Sequence, residues 1–198
     1  MMTSPLQIKL TGQNLILGSQ SPRRKQLLQE LNIQFDVIVK DVDESYPENL
    51  RCNEVAEYLA RKKAVAFNKE LEAENNIILT ADSIVCIDEV ILNKPAGPTD
   101  AIRMLNFLSG RKHDVYTGVC LSRKLKTISF TSKTEVSFRI FAPEEINFYV
   151  EVYKPFDKAG SYGIQEWIGF IGIEYISGSY TNVMGLPLKE LYEHLLTF

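Results

Sequence analysis

One carboxylate stands in the most apolar part of the chain. Asp82 interrupts the stretch 77–87, which is otherwise almost wholly apolar and has the composition of buried β-strands. An ionised carboxylate in such surroundings is unfavourable unless it is paired, hydrogen-bonded or bound to a metal ion. A carboxylate that caps a turn is the structural alternative, but its apolar neighbours on both sides disfavour it. Asp82 is therefore the first candidate for a catalytic role.

Two arginines follow a helix start. In the segment GSQSPRR, residues 18–24, Ser21 can cap a helix whose first residue is Pro22. Arg23 and Arg24 then lie in the first turn, where the helix dipole favours negative charge. They are accounted for if an anion binds there, held by free backbone N–H groups and by the guanidinium groups. Two solvent-exposed arginines on a short helix are the alternative.

Two lysines complete a set of four cations. On a helical wheel, Lys63 falls in the middle of the apolar face of the helix predicted over 54–71. Lys94 stands beside Pro95 in a predicted turn. A snorkelling side chain at Lys63 and a loop lysine at Lys94 are the alternatives. With the two arginines, these lysines predict a cationic pocket facing one carboxylate, which suits a polyphosphate ester and its metal ion.

The elements that must position these residues alternate between strands and helices. Helices are predicted over 22–31, 54–71 and 101–110, from Pro143 onwards, and over 183–196. Strands are predicted over 35–39, 76–82, 83–92, 113–123, 127–140 and 170–176, with a hairpin at Asp88-Glu89. This alternation predicts an α/β fold, a mixed twisted sheet with flanking helices, in a single domain over 1–198.

Composition excludes several classes of protein. The formal net charge of −3 gives no basic surface for nucleic acid, so any anion site must be local. No apolar run approaches the roughly 18 residues of a membrane span, and no targeting segment is apparent, so we expect a cytoplasmic protein. The three cysteines are odd in number and widely spaced, and we expect them to be free: Cys52, Cys86 and Cys120. We expect structural or surface roles for the two histidines, His113 and His194.

Eight segments together resemble, in order and over nearly the whole chain, the Maf family of nucleoside triphosphate pyrophosphatases. They are LGSQSPRRKQLLQEL, DVDE, LARKKA, TADSIV, LNKP, AIRMLNFLSGRKHDVYTGV, DKAGSYGIQ and GSYTNVMGLPL. The resemblance implies an elongated α/β fold similar to the inosine triphosphate pyrophosphatases, with a nucleotide in a cleft between two lobes. It also implies hydrolysis between the α and β phosphates with a divalent cation, Mg²⁺ or Mn²⁺.

The resemblance assigns roles by motif. Asp82 of TADS matches the proton acceptor that deprotonates the attacking water, and Glu44 of DVDE matches an acidic position that binds metal with Asp82. The positions that match phosphate-contacting residues are Ser19, Arg23, Arg24, Lys63 and Lys94.

Within the family that this chain resembles, three positions separate a subgroup similar to dTTP/UTP pyrophosphatases from one that acts on 7-methyl-GTP. In this chain they are Arg23, Ser83 and Gln165. Arg23 and Gln165 match the pyrimidine subgroup, and a glutamine amide can donate and accept at the imide edge of uracil or thymine. Ser83 departs from the threonine usual in that subgroup, which keeps the hydroxyl and leaves UTP, dTTP, modified pyrimidines and CTP open. Trp167 either packs near the base or lies in the core or on the surface.

Two other functions compete with this one. The first is a nucleotide-binding regulator of cell division without turnover, and the second is a house-cleaning pyrophosphatase for inosine or xanthosine triphosphate. We expect a small nucleotide as the binding partner, no nucleic acid and no membrane, and a homodimer is compatible with the sequence.

Overall fold

The computed structural model describes residues 2–198. Its helices are α1 (Pro5–Lys9), α2 (Pro22–Glu30), α3 (Cys52–Val65), α4 (Pro98–Leu108), α5 (Pro143–Tyr153), α6 (Trp167–Gly172), α7 (Tyr180–Met184) and α8 (Leu188–Thr197). Its strands are β1 (Asn14–Leu17), β2 (Asp36–Val37), β3 (Asn76–Ile87), β4 (Val90–Leu92), β5 (Lys112–Arg123), β6 (Lys126–Phe138) and β7 (Ile173–Ser177). Two 3₁₀ turns cover Glu70–Glu72 and Ala159–Ser161.

The strands form one open mixed sheet, as the sequence predicts. Their order is β2-β1-β3-β5-β6-β7, and β4 is an additional strand paired with β3. The pairs β1–β2 and β1–β3 are parallel, whereas β3–β4, β3–β5, β5–β6 and β6–β7 are antiparallel. The predicted hairpin at Asp88-Glu89 is confirmed, since φ is 50° at Asp88 and 61° at Glu89, the left-handed conformation that tight hairpin turns require.

The central strand β3 has a gap on one edge. On that edge β1 pairs with residues 76–79 and β4 pairs with residues 85–87, which leaves residues 80–84 without a strand partner. The other edge is paired continuously with β5 through this region. Asp82 therefore lies where the edge of the central strand is open, so a cleft can form in the middle of the sheet.

Side-chain alternation along β3 separates two layers. The odd-numbered residues face two large cores, one near β1 with Leu79 and Ala81, the other beyond the gap with Val85 and Ile87. The first core includes residues of α1, α2 and α8, and the second includes residues of α4, α5 and α6. These cores make the two lobes, and the gap in β3 lies between them.

The even-numbered residues of β3 from Thr80 to Cys86 face α3. The helix packs on β3 and β5, and the Thr80 hydroxyl donates to the Ala60 carbonyl at 2.7 Å. Gly118 of β5 is paired with Asp82, and a Cβ atom built on it would lie 2.2 Å from the Ala56 carbonyl oxygen. A glycine is required here because the helix backbone rests directly on the strand. Lys63, two turns after Ala56, is thereby carried over Asp82.

Several predicted boundaries are wrong. The runs 76–82 and 83–92 are not two strands, because β3 continues from Asn76 to Ile87 before the hairpin. Helix α3 ends at Val65 rather than at 71, since the chain turns and buries Phe67 against Ile16 and Ile78.

The C-terminal third shows two further differences. Residues 170–172 belong to α6 rather than to a strand, because a turn of helix packs closely through Gly169 on Ile164. The predicted final helix over 183–196 is two helices, since Gly185 ends α7 with φ of 113° and Pro187 precedes α8.

The cysteines are only partly as expected. Cys120 is free and buried, but Cys52 and Cys86 form a disulfide between the start of α3 and the end of β3. The expectation of free thiols at Cys52 and Cys86 is therefore wrong, because helix–strand packing brings together two residues 34 positions apart. Among residues 2–198, no helix is both long and apolar enough to cross a membrane.

Candidate active site

A cleft of about 980 Å³ opens at the gap in β3 between the two lobes. Every site residue predicted from the sequence lines it: Ser19, Arg23, Arg24, Glu44, Lys63, Asp82, Ser83, Lys94 and Gln165. These residues come from six separate parts of the chain, including the β1–α2 loop, α3, β3 and the loop before α6. The fold therefore brings the predicted residues together in one place.

A lysine bridging two carboxylates forms the centre of the cleft. Lys63 Nζ donates to Asp82 Oδ1 and lies 2.8 Å from Glu44 Oε1. The Asp82 side chain is 13% exposed and that of Lys63 is 16% exposed, whereas Glu44 lies further out at 46%. The buried charge of Asp82 thus has the counter-ion that its apolar surroundings require. The prediction that Lys63 lies on the inner face of its helix is confirmed.

Lys94 reaches the same cluster from the other side. Its Nζ lies 3.2 Å from Glu44 Oε2, so the two oxygens of Glu44 face one lysine each. Burial acts to raise the pKa of Glu44, but the hydrogen bonds and charges of Lys63 and Lys94 outweigh it and lower the pKa overall. Glu44 is therefore held as a carboxylate between two cations.

Glu44 and Asp82 are the carboxylates of the cleft that could hold a divalent cation. Among residues 2–198, no group of three or more histidine, cysteine or acidic side chains is arranged to hold a metal. Mg²⁺, however, is commonly held by one or two carboxylates, completing its shell with waters and substrate phosphates. Glu44 and Asp82 provide such oxygen donors on one wall of the cleft, joined through Lys63.

Arg24 is held by the protein on several sides. Its Nε donates to the Gly185 carbonyl and one Nη1 hydrogen to the Ala81 carbonyl, both at 2.8 Å. It also donates to Ser19 Oγ at 3.3 Å and to Ser83 Oγ at 3.0 Å. Arg24 takes the place of the missing strand partner at Ala81, so most of its five N–H donors are occupied within the protein.

The hydroxyl of Ser83 has a defined hydrogen-bond direction. Thr117 Oγ1 donates its one hydrogen to the Asn182 carbonyl at 3.0 Å, so the 2.9 Å contact between Ser83 and Thr117 must be donated by Ser83. Ser83 also accepts from Arg24. Only an acceptor lone pair of Ser83 is left for a ligand, which can therefore bind it only by donating.

Arg23 lies across the mouth of the cleft. Its Nη1 contacts Asp157 Oδ2 at 2.8 Å, which joins α2 of one lobe to the loop before Ala159 in the other. Burial acts to raise the pKa of Asp157, but Lys158 and Arg23 outweigh it and lower the pKa. In contrast to Arg24, Arg23 makes a contact on the surface of the cleft.

Gln165 lines the cleft and carries an acceptor that the protein does not use. Its Oε1 is buried and has no hydrogen-bond partner in the protein. A buried amide oxygen without a partner is unfavourable, and a ligand N–H would satisfy it. Trp167 does not line the cleft and instead packs edge-on against Phe148 at 5.0 Å. Trp167 is half-buried and packs against the edge of the core of the second lobe, between the core and surface alternatives open from the sequence.

Two kinds of residue that shape the site carry only weak signals in the sequence. Gly118 sets the height of α3 over Asp82, and an isolated glycine inside a strand was the available signal. Asp157, Lys158 and Glu166 form ion pairs behind Arg23 and Gln165. The only sequence signal for these pairs was a lysine beside an aspartate in the glycine-rich loop. The two histidines have the structural roles expected, since His113 bonds Tyr162 and His194 stacks on Phe130.

Fold and cleft define a class of α/β protein. The Ham1 protein of Staphylococcus aureus has a TM-score of 0.54 to this chain at 15% identity, covering 92% of this chain and 98% of that one. A HAM1 protein from Coxiella burnetii has a TM-score of 0.53 at 16% identity, covering 94% and 100%. At these identities the likeness shows a shared fold.

The sequence itself identifies the family. Residues 14–198 match the family described as Maf-like protein, and the chain belongs to this family. It is 50% identical to a dTTP/UTP pyrophosphatase of Phocaeicola vulgatus over 182 residues, which cover 91% of this chain and 94% of the relative. It is 44% identical to a dTTP/UTP pyrophosphatase of Flavobacterium psychrophilum, with coverage of 96% and 97%.

Proposed function

We propose that this protein hydrolyses nucleoside triphosphates, with UTP and dTTP preferred, to the monophosphate and pyrophosphate. The observation that carries the proposal is the meeting of Asp82, Lys63 and Glu44 at the open edge of β3. The names of relatives at 44–50% identity over nearly the whole chain support the same reaction.

Attack on a phosphate ester requires charge neutralisation and an oriented water. The transferred phosphorus is surrounded by negative oxygens, so positioning and electrostatics provide most of the catalysis. Lys63 and Lys94 line the cleft with cations, and Ser19 lies in the loop two residues before Ser21, the N-cap of α2. These residues bind and orient the phosphates.

Asp82 is the general base in this proposal. It is mostly buried, it is paired with Lys63, and it is the innermost carboxylate of the pair that it forms with Glu44. A carboxylate placed in this way accepts the proton of the attacking water. A bound Mg²⁺ or Mn²⁺, held by Glu44 and Asp82, would neutralise phosphate charge and lower the pKa of a coordinated water.

Gln165 and Arg23 read the nucleobase in this proposal. Uracil and thymine carry an imide N–H, which matches the unpartnered Oε1 of Gln165. Ser83 keeps its acceptor lone pair, so replacing the usual threonine with serine preserves the hydrogen bond and removes only a methyl group. Cytosine lacks an N–H at that ring position, and we expect CTP to be a poorer substrate.

A nucleotide panel tests the proposal. UTP, dTTP, CTP, GTP and ITP are incubated with the protein and Mg²⁺, and pyrophosphate release is measured. We expect UTP and dTTP to be the best substrates, and Asp82→Asn to lower kcat by about 10²–10⁴-fold, the range for loss of a general base. Asp88→Asn is the matched control. Asp88 lies in the β3–β4 hairpin, pairs with Arg111 and does not line the cleft.

Two outcomes would replace this proposal. Nucleotide binding without pyrophosphate release from any triphosphate would favour the regulator without turnover. A preference for ITP or other purine triphosphates would contradict the role of Gln165 and favour a purine house-cleaning enzyme.

A further inference from the structure

A chain of charged groups runs behind Arg23 and Gln165, the two residues that are proposed to read the nucleobase. Lys158 is 8% exposed, and its Nζ lies 2.8 Å from Asp157 Oδ1 and 3.0 Å from Glu166 Oε1. The other oxygen of Asp157 contacts Arg23. Because Glu166 directly follows Gln165, the single ammonium of Lys158 links Arg23 and Gln165 through one carboxylate on each side.

The Glu166 end of this chain is anchored. Tyr149 donates from its hydroxyl to Glu166 Oε2 and accepts from the Gly163 N–H at 3.0 Å. A Cβ atom on Gly163 would lie 2.7 Å from the Glu166 carboxyl carbon, so the carboxylate packs directly on the backbone of the loop. Tyr149 itself is fully buried in α5. Glu166 therefore fixes the loop that carries Gln165 to the core of the second lobe.

The Asp157 end spans the cleft. Arg23 belongs to α2 in the first lobe, whereas Asp157 and Lys158 belong to the second. Both oxygens of Asp157 are engaged, one by each cation, so its orientation is defined. Gln165 Oε1 has no protein partner of its own, so the position of this acceptor depends on its neighbours.

We propose that Lys158 is a positioning residue for base selection: it sets the separation of Arg23 and Gln165 through Asp157 and Glu166. The proposal rests on the proposed pyrophosphatase function and adds residues to it. Lys158 contacts neither of the base-reading residues directly, so its effect falls on discrimination between bases more than on the chemical step at Asp82.

The experiment compares selectivity among variants. The ratio of kcat/KM for UTP to that for GTP is measured for wild type and for Lys158→Met, Asp157→Asn and Glu166→Gln. Lys112→Met is the matched control. Lys112 Nζ lies 2.9 Å from Glu135 Oε1, and neither residue lines the cleft. We expect the UTP/GTP ratio to fall about tenfold in Lys158→Met, as for loss of a charge-assisted hydrogen bond, and to be unchanged in Lys112→Met.

The two isosteric variants guard against a loss of folding. Asp157 has a side chain 57% exposed, so Asp157→Asn removes the charge with little risk to the core. We expect it to lower the ratio through KM for UTP, with kcat changed less than twofold. If Lys158 acts on selectivity through Asp157, the double variant Lys158→Met/Asp157→Asn has the same UTP/GTP ratio as Lys158→Met alone.

Failure of this inference is separable from failure of the function. A wild-type protein that releases no pyrophosphate contradicts the proposed function itself. An active wild type whose UTP/GTP ratio is the same in folded Asp157→Asn, Glu166→Gln and Lys158→Met variants overturns the role of Lys158. Equal losses of kcat on both nucleotides in these variants also overturn it, because they would indicate a general structural role.

Discussion

Replacing Gly118 by alanine tests whether the height of α3 over the sheet positions the catalytic pair. The added Cβ would lie 2.2 Å from the Ala56 carbonyl oxygen and 2.3 Å from its carbon, both backbone atoms. Restoring an ordinary contact of 3.4 Å requires the helix to retreat by about 1.2 Å. Lys63 lies on the same helix face two turns later, so its contact with Asp82 lengthens by a similar amount.

The expected effects are large and measurable. A misplacement of about 1 Å in an active site can lower the rate about 10²-fold, and overpacking costs roughly 1–3 kcal/mol of stability. Pyrophosphate release from UTP gives kcat, and urea unfolding gives the free energy of unfolding. Gly97→Ala is the matched control, because a Cβ atom there meets no atom within 4 Å. A folded Gly118→Ala protein with kcat within twofold of wild type would refute the reasoning.

Three further predictions follow from individual contacts. Replacing Arg24 by methionine leaves the buried carbonyls of Ala81 and Gly185 without a donor, so urea unfolding should show a loss of about 2–4 kcal/mol, and an unchanged stability contradicts this. Burial lowers the pKa of His113 from 6.5 to about 4, so the unfolded state binds the extra proton and stability falls as pH decreases from about 6.5 to 4. Unfolding free energies measured across this pH range should show the fall, and His113→Phe should flatten it. Thiol titration in denaturant without reductant should find one free thiol, Cys120, and three after reduction, whereas three at the outset would exclude the Cys52–Cys86 disulfide.

Local patterns in the sequence predicted much of the fold. Ser21 caps α2 with Pro22 as its first residue, and the hairpin at residues 88–89 forms where two polar residues interrupt an apolar run. Lys63 was identified because a charge on an apolar helix face needs a partner, and that partner is Asp82. In each case the signal lies within a few residues of the element that it determines.

Features that depend on tertiary packing could not be predicted in this way. A strand buried on both faces does not alternate between apolar and polar residues in its sequence. Nothing in residues 76–87 therefore distinguishes one strand from two. The end of α3 depends on the burial of Phe67 against the sheet, and the split between α7 and α8 depends on one glycine conformation.

The same limit applies to the site. Residue types and motifs predicted which side chains gather in the cleft, but not what each one contacts. Arg24 bonds to groups as distant in sequence as Gly185, and Arg23 pairs with Asp157, 134 positions away. Three features stay predictions: contact of Arg23 and Arg24 with phosphate, binding of Mg²⁺ or Mn²⁺, and a homodimer.

The most direct test of the proposed reaction is identification of its phosphorus-containing products. UTP is incubated with the protein and Mg²⁺, and ³¹P NMR follows the signals of the nucleotide and the released phosphates. The account predicts that UMP and pyrophosphate appear together in equal amounts, and that Asp82→Asn slows the appearance of both by about 10²–10⁴-fold. Formation of UDP and inorganic phosphate, or persistence of UTP with wild-type protein, would contradict it.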